Sequence, residues 1–237
     1  MDRGKAWLLA TLAVFALVGA GAFWWTEREA ERASAAAEAR AAARAEREER
    51  RLSRLREESR RLVPDLLEGI HLGMPLADAR RARPRMTPQL GHTNPDMANR
   101  VVFEERFPNG ARAIYFFDRE TDRLERIQVL SLLPNVEAVA PHLAAMNEQY
   151  GSPTGAWDCP QTGTVPTRRF TWRHGETSIA DIFLIYGERV SVTLDIAPSA
   201  VMERSLRRSA CRPVQSREDL ERFPVATPEQ LAPDGAR

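Results

Sequence analysis

A run of twenty uncharged residues near the amino terminus constrains this chain more than any other feature. Residues 6–25 read AWLLATLAVFALVGAGAFWW, and Arg3 and Lys5 precede them. A helix rises about 1.5 Å per residue, so a segment of this length spans a hydrocarbon core of about 30 Å. Trp24 and Trp25 stand at its far end, where amphipathic rings favour the membrane interface. The segment predicts a transmembrane anchor that binds the lipid bilayer through residues 6–25.

A cleaved signal peptide is the alternative interpretation of residues 1–25, since the basic head and the small residues at 20–22 fit one as well. We favour the uncleaved anchor because the apolar character continues through Trp25, beyond the possible cleavage point. Either interpretation sends the rest of the chain out of the cytoplasm. We therefore expect a single-pass protein of the inner (cytoplasmic) membrane with an extracytoplasmic body. The basic residues on the two sides of the segment nearly balance, so a reversed orientation remains an alternative.

Residues 26–62 consist largely of Ala, Glu and Arg, which are among the strongest helix formers. They predict a helical stalk of about 54 Å. A solvated single helix is the interpretation we favour. The alternative is a short coiled coil with weak self-association through the stalk, because a heptad-like spacing is present. Its seam comprises Ala41, Ala45, Glu48, Leu52, Leu55, Ser59, Leu62 and Leu66.

The charge balance argues against a nucleic-acid partner. The chain has 34 basic and 33 acidic residues, and Glu interleaves with Arg throughout the stalk. A general nucleic-acid binder needs a surplus of basic side chains to displace counterions. One basic cluster could hold an anionic partner or a lipid headgroup, although a solvated helix end is the interpretation we favour. It comprises Arg80, Arg81, Arg83 and Arg85.

The pattern of residues 63–212 predicts an α+β body of two helix-plus-strand units, because short turns join the strands and make them antiparallel. The first unit opens with a helix after Pro75 and continues with a hairpin around Pro108-Asn109-Gly110 and a strand at 124–133. The second has an amphipathic helix at 136–150 that kinks at Pro141 or begins near Ala140. Its other elements are strands at 168–173, 177–186 and 189–196 and a helix ending near 209. Residues 213–237 predict a mostly disordered tail.

Cys159 and Cys211 are the two cysteines of the chain. Two is the minimum for one disulfide, which is favoured in an oxidising compartment. A loop of about 50 residues closed in this way contributes roughly 4 kcal/mol in the chain-entropy model. Neither cysteine lies in a metal-binding spacing, so we predict a disulfide, with two unrelated buried thiols as the alternative.

Residues 69–79, GIHLGMPLADA, resemble the helix-opening motif of the SmpA/OmlA small envelope domain. They also resemble the β-lactamase-inhibitor type of tandem α/β unit that shares its shape. The resemblance covers roughly residues 65–133. It implies a non-enzymatic envelope domain that binds other proteins through its sheet or loops. The chain departs from the family by lacking a lipidated cysteine and by ending the helix in Arg-Ala-Arg-Pro.

The titratable residues do not form a recognisable catalytic motif. His71, His92, His142 and His174 are not spaced as metal ligands, and nucleophile-elbow, phosphate-loop and dinucleotide motifs are absent from the sequence. Asp181 and Asp195 alternate with apolar neighbours, which predicts a polar, outward-facing position for both.

These observations predict no enzyme, cofactor or metal. We expect a membrane-anchored cell-envelope protein that presents a non-catalytic α+β protein-interaction module to a partner in the envelope. The alternative is an extracytoplasmic ligand-binding or sensor domain, and a hydrolase with an unrecognised carboxylate or histidine site is a third hypothesis.

Overall fold

The computed structural model describes residues 3–89, 99–160, 166–216 and 225–226, and of residues 3–23, 26–27, 30 and 225–226 it describes only the backbone. Four helices lie in these ranges: α1 (Arg3–Leu62), α2 (Leu76–Ala82), α3 (Val139–Tyr150) and α4 (Ser199–Arg208). Short 3-10 turns occupy Asp65–Leu67 and Val136–Ala138. The strands are β1 (Thr87–Pro88), β2 (Arg100–Arg106), β3 (Arg112–Asp118), β4 (Leu124–Leu133), β5 (Gly155–Pro160), β6 (Pro166–His174), β7 (Thr177–Tyr186), β8 (Arg189–Pro198), β9 (Arg212–Pro213) and β10 (Val225–Ala226).

Helix α1 runs without a break from Arg3 to Leu62. Where side chains are described, no helix is both long and apolar enough to cross a membrane. The predicted span at residues 6–25 falls largely outside those described side chains. The membrane anchor therefore stays a prediction.

The chain divides into two units, Met1–Arg51 and Leu52–Arg237. The second unit includes the last turns of α1, where Leu55, Ser59 and Leu62 are buried. These residues belong to the C-terminal half of the predicted coiled-coil seam. They pack instead against the chain's own body, so this part of the stalk belongs to the globular unit and is not free to pair with another helix.

One sheet contains all the strands, in the order β1-β2-β3-β4-β8-β7-β6-β5-β9, with β10 beside β7. Every neighbouring pair along that path is antiparallel, and only the two-residue strand β10 runs parallel to its neighbour among the described strands. The α+β class with an antiparallel sheet is thus confirmed. The last strands of the two predicted units, β4 and β8, lie side by side, so both units contribute to the same sheet.

Local sequence signals place most of these elements. In the β2–β3 hairpin, Gly110 has a positive φ of 82° and the Asn109 side chain accepts a hydrogen bond from the nitrogen of Ala111. Helix α3 begins at Val139, so Pro141 lies in its first turn, where the missing N–H has no intrahelical partner to lose. Gly151, with φ at 81°, ends that helix by donating its N–H to Asn147.

The main core lies on one face of the sheet, beneath the end of α1, α2 and α3. Tyr115, Phe117 and Ile127 from the first half of the sheet and Ile179 and Phe183 from the second half are buried there. Helix α4 covers part of the opposite face, which we call the second face. Its Val201 and Met202 pack on Ala180 and Ala197. Strands β7 and β8 are therefore covered on both sides over part of their length.

Two predictions about the body are wrong, and a third lies mostly outside the described residues. Residues 155–160, for which the sequence pattern predicts no strand, form strand β5 between β6 and β9. The segment lacks β-branched residues, so tertiary pairing decides its conformation. Asp181 and Asp195 are fully buried, because α3 and α4 cover the strands on which they lie. The predicted tail after residue 213 falls mostly outside the described residues, apart from Val214–Ser216 and Val225–Ala226, of which the latter pair with Ile185 and Tyr186.

Candidate interaction surface

The predicted arginine cluster does not form one open patch. Arg83 makes two hydrogen bonds to the carboxylate of Glu105, at 2.8 and 2.9 Å, and both side chains are largely buried. Arg81 pairs with Asp78 on the helix surface. Arg80 lies over the ring of Phe103 at 6.0 Å.

Glu105 also accepts a hydrogen bond from the buried hydroxyl of Tyr115, whose pKa burial raises well above its ordinary value. Arg83 is therefore part of a largely buried ion pair and is not presented to a partner at the surface. Arg85 is exposed in the turn that follows α2.

Trp24 and Trp25 are exposed by 59% and 67%. Arg28 stacks over the ring of Trp24 at 4.3 Å, and the indole nitrogen of Trp25 donates to Glu29 at 3.0 Å. Each ring is thus held by a charged neighbour one helical turn later while most of its surface stays open.

The disulfide prediction is confirmed. Cys159 on β5 and Cys211, which follows α4, are bonded, with their Cα atoms 4.0 Å apart. The bond ties the end of α4 to the edge of the sheet, immediately beside the pairing of β5 with β9. Cys159 is buried, so the bond is covered by protein on that side.

Two buried polar sites were missed by the sequence analysis. His142 on α3 hydrogen-bonds one oxygen of Asp181 at 2.9 Å, and the other oxygen of Asp181 has no partner in the described part of the chain. Burial raises the pKa of this carboxyl, and the bond to His142 opposes the rise. On the second face, Arg126 makes a bidentate ion pair with Asp195.

Arg169 lies near that ion pair and donates weakly to Ser205 of α4, at 3.4 Å. Its Nε atom has no partner among the described residues, and burial lowers its pKa. A group of three or more His, Cys, Asp or Glu side chains able to hold a metal is not present in the described ranges. His71 is buried with Nδ1 against the carbonyl of Leu72, and His92 lies outside the described residues.

An apolar area of the second face extends beyond α4, and we call it the open patch. In one row across the sheet, Leu130 of β4 and Ile182 of β7 lie on either side of Thr193 of β8. In the next row on this face, Leu132 and Leu184 lie on either side of Ser191. The open patch is defined by Leu130, Leu132, Ile182 and Leu184. Leu132 is 71% exposed, the highest value among the exposed large hydrophobic residues described, and the other three are half-buried.

A shallow cleft of about 390 Å³ borders the open patch and is lined by Leu132, Leu133, Pro134 and Arg189. A second, larger cleft of about 630 Å³ follows the end of α1, between Arg60 and Ile70. Its lining includes the charged side chains of Arg60, Asp65 and Glu68.

The sequence contains a signal for the open patch. Residues 129–133 read VLSLL, an almost continuous apolar run instead of an alternating one. Such runs are typical of strands with both faces covered. In β4 one face is covered by the core, whereas Leu130 and Leu132 on the other face lie outside the area that packs on α4.

Comparison with known proteins gives no relative: the chain matches no protein-family model, no curated protein and no solved structure. The resemblance to the SmpA/OmlA domain therefore stays a prediction.

Proposed function

We propose that this chain is a membrane-anchored protein of the cell envelope whose α+β body is a protein-interaction module. In this proposal residues 6–25 anchor the chain in the inner membrane and the body lies outside the cytoplasm. The body binds a protein partner through the open patch, without catalysis. The predicted resemblance to an envelope domain that binds proteins points in the same direction.

The observation that carries the proposal is the exposure of Leu132. Large apolar side chains grouped on the surface of a monomer mark contact sites more often than scattered ones do. Leu132 projects from the same sheet face as Leu130, Ile182 and Leu184, and a shallow cleft adjoins it. Burial of a leucine side chain contributes about 1.5–3 kcal/mol, so a partner that covers this area gains appreciable affinity.

Two features of residues 6–25 support the membrane anchor, and the disulfide supports the extracytoplasmic location. The uncharged segment is long enough to span a bilayer. The exposed rings of Trp24 and Trp25 suit an interface between lipid and water. The bond between Cys159 and Cys211 is typical of oxidising compartments.

Site-specific photocrosslinking tests the interaction module. A photoreactive amino acid replaces Leu132 in the full chain expressed in cells, and the control carries it at Glu148, an exposed position on α3. We expect a discrete protein adduct from position 132 and none from position 148. Absence of any protein adduct at 132 across growth conditions contradicts the proposal.

A topology experiment tests the location separately. A reporter fused after Arg237 is read for cytoplasmic or external activity, and thiol labelling of Cys159 and Cys211 is measured without reductant. We expect external activity and blocked thiols. A cytoplasmic reporter with free thiols overturns both the location and the use of the disulfide.

A ligand-binding or sensor domain is the second candidate, and the cleft after α1 favours it. Its volume of about 630 Å³ falls within the range of small-molecule sites. Arg60 and the acidic residues Asp65 and Glu68 supply polar groups of both signs. Glu68→Leu, with Glu57→Leu as the surface control, separates the two candidates. If the cleft binds a ligand, the Glu68→Leu protein should lose the thermal stabilisation that the ligand provides. The protein adducts formed from position 132 should persist in the same variant.

A further inference from the structure

The open patch lies between two exposed arginines on the same sheet face. Arg112 of β3 is in register with Leu130, and Arg189 of β8 is in register with Tyr186. Both point to the second face, because their strand neighbours Ala113 and Val190 are buried in the main core. Neither arginine forms an ion pair with another described residue, so both charges face solvent.

Two other arginines on this face are paired within the body. Arg126 is paired with Asp195, and Arg106 is paired with Glu104. Glu188, which precedes Arg189 along the chain, lies in the turn between β7 and β8. Arg112 and Arg189 therefore give the surroundings of the open patch a positive charge.

From this arrangement we propose that the open patch binds an acidic amphipathic helix of a partner protein. The inference rests on the proposed function and specifies its partner. The helix places its apolar stripe on Leu130, Leu132 and Leu184 and continues the helical cover that α4 begins over Ala180 and Ala197. Carboxylates on its flanks pair with Arg112 and Arg189.

Register sets the spacing of the acidic residues on that helix. Arg112 and Arg189 are two strands apart across the sheet and four residues apart along the strand direction. Their Cα atoms are therefore separated by about 16 Å. A helix covers that distance in about three turns. The partner helix is thus expected to have two acidic residues about three turns apart, beside an apolar stripe.

Charge and shape argue against the other occupants. A second copy of this chain, related by two-fold symmetry, would place the same arginines opposite each other in a self-complementary contact. A planar bilayer surface would reach the protruding Leu132 but not the half-buried Ile182, which packs beside α4.

Two designed helical peptides test the proposal with the full-length protein in nanodiscs. They share one apolar stripe and differ only at two flanking positions, three turns apart, which are Glu in one peptide and Lys in the other. Fluorescence anisotropy measures their affinities. We expect the Glu peptide to bind about tenfold more tightly than the Lys peptide, since exposed charge pairs each contribute modestly.

Charge reversal on the protein provides the decisive comparison. The double variant Arg112→Glu/Arg189→Glu should reverse the preference between the peptides, whereas Arg80→Glu/Arg85→Glu, with the same change in net charge, should leave it unaltered. Leu132→Glu should weaken both peptides at least tenfold. Equal binding of the two peptides, or an unchanged preference in the reversed variant, overturns the acidic-helix assignment.

Photocrosslinking from position 132 distinguishes this inference from the proposed function. A protein adduct in cells that is lost in Arg112→Glu/Arg189→Glu supports both. A protein adduct that persists in that variant supports the interaction module but contradicts the acidic helix. Lipid adducts from position 132 in phosphatidylglycerol nanodiscs, in place of peptide adducts, overturn the inference in favour of a membrane surface.

Discussion

Glu58, near the end of α1, accepts two hydrogen bonds from Thr177, one from its backbone nitrogen and one from its hydroxyl, each at 3.0 Å. The same carboxylate oxygen accepts a third from the nitrogen of Glu176 at 2.9 Å. Two further bonds join this part of the helix to the body: Ser59 accepts from the nitrogen of Leu72, and Tyr150 donates to the carbonyl of Leu62. The end of α1 is thus an integral part of the globular unit.

Removal of the Glu58 carboxylate should destabilise the body. Glu58→Ala leaves two backbone N–H groups at the β6–β7 turn without their partner, and we expect a loss of about 1–3 kcal/mol. Glu57→Ala is the matched control, because Glu57 pairs with Arg61 on the helix surface, and it should cost within about 0.5 kcal/mol. Urea unfolding followed by Trp fluorescence measures both. Equal effects would show that the Glu58 bonds contribute little.

Two glycines with nearly the same conformation should respond differently to alanine. Gly175 and Gly187 have φ values of 61° and 60°. A Cβ atom at 175 would lie 2.2 Å from an oxygen of Glu58, whereas one at 187 meets no atom within 4 Å. Gly187→Ala should cost about 1 kcal/mol from backbone strain, and Gly175→Ala should cost at least about 1 kcal/mol more, because it also displaces the Glu58 carboxylate.

The double-mutant cycle with Glu58→Ala provides the check on that explanation. In the Glu58→Ala background, Gly175→Ala and Gly187→Ala should have the same cost, since the obstructing carboxylate is gone. A persistent difference would mean that an atom other than Glu58 limits position 175.

The disulfide should stabilise the body by an amount set by the loop that it closes. Cys159 and Cys211 are 52 residues apart, for which the chain-entropy model gives roughly 4 kcal/mol. We expect Cys159→Ser/Cys211→Ser to lower the free energy of unfolding by about 2–4 kcal/mol. The oxidised protein treated with reductant should approach the same value. A variant as stable as the oxidised wild type would contradict this account.

Asp181 should make stability depend on pH. Burial raises its pKa in the folded state, so its contribution is fully present below the ordinary carboxyl value of 3.8 and is lost as pH rises through the raised pKa. As pH rises from about 4, the wild type should therefore lose stability relative to Asp181→Asn.

Unfolding of the wild type, of Asp181→Asn and of Asp78→Asn across that pH range measures the effect. Asp78 lies on the surface of α2, so Asp78→Asn should follow the wild type. Parallel curves for the wild type and Asp181→Asn would show that the buried carboxyl does not change its protonation in this range.

Leu132→Glu should leave the fold intact, which makes it a clean probe of binding. Because Leu132 is 71% exposed, we expect its replacement to change the free energy of unfolding by within about 0.5 kcal/mol. Ile127→Ala, on the covered face of the same strand, should cost about 2–5 kcal/mol. A large loss in Leu132→Glu would show that the open patch is packed against the chain itself.

The elements that the sequence predicted well have local physical causes. The β2–β3 hairpin follows from residues that accept the turn conformation at Asn109 and Gly110, and β4, β7 and β8 follow from apolar runs of strand length bounded by turns. Helices α2 and α3 begin and end near proline and glycine residues that determine where a helix can stop. Strand β5 was missed because its conformation comes from pairing with β6 and from the bond at Cys159, neither of which is visible in local composition.

The α+β class, the turns and the pairing of Cys159 with Cys211 follow from local sequence, because propensity, periodicity and the presence of only two cysteines depend on neighbouring residues and residue counts. The other features depend on tertiary packing. It buried Asp181 and Asp195 by covering central strands on both sides, and it turned Leu55 and Leu62 from a stalk seam into core residues. It also left Leu132 open beyond the end of α4. Burial depends on which element covers a face, and that is a property of the assembled sheet and not of any segment within it.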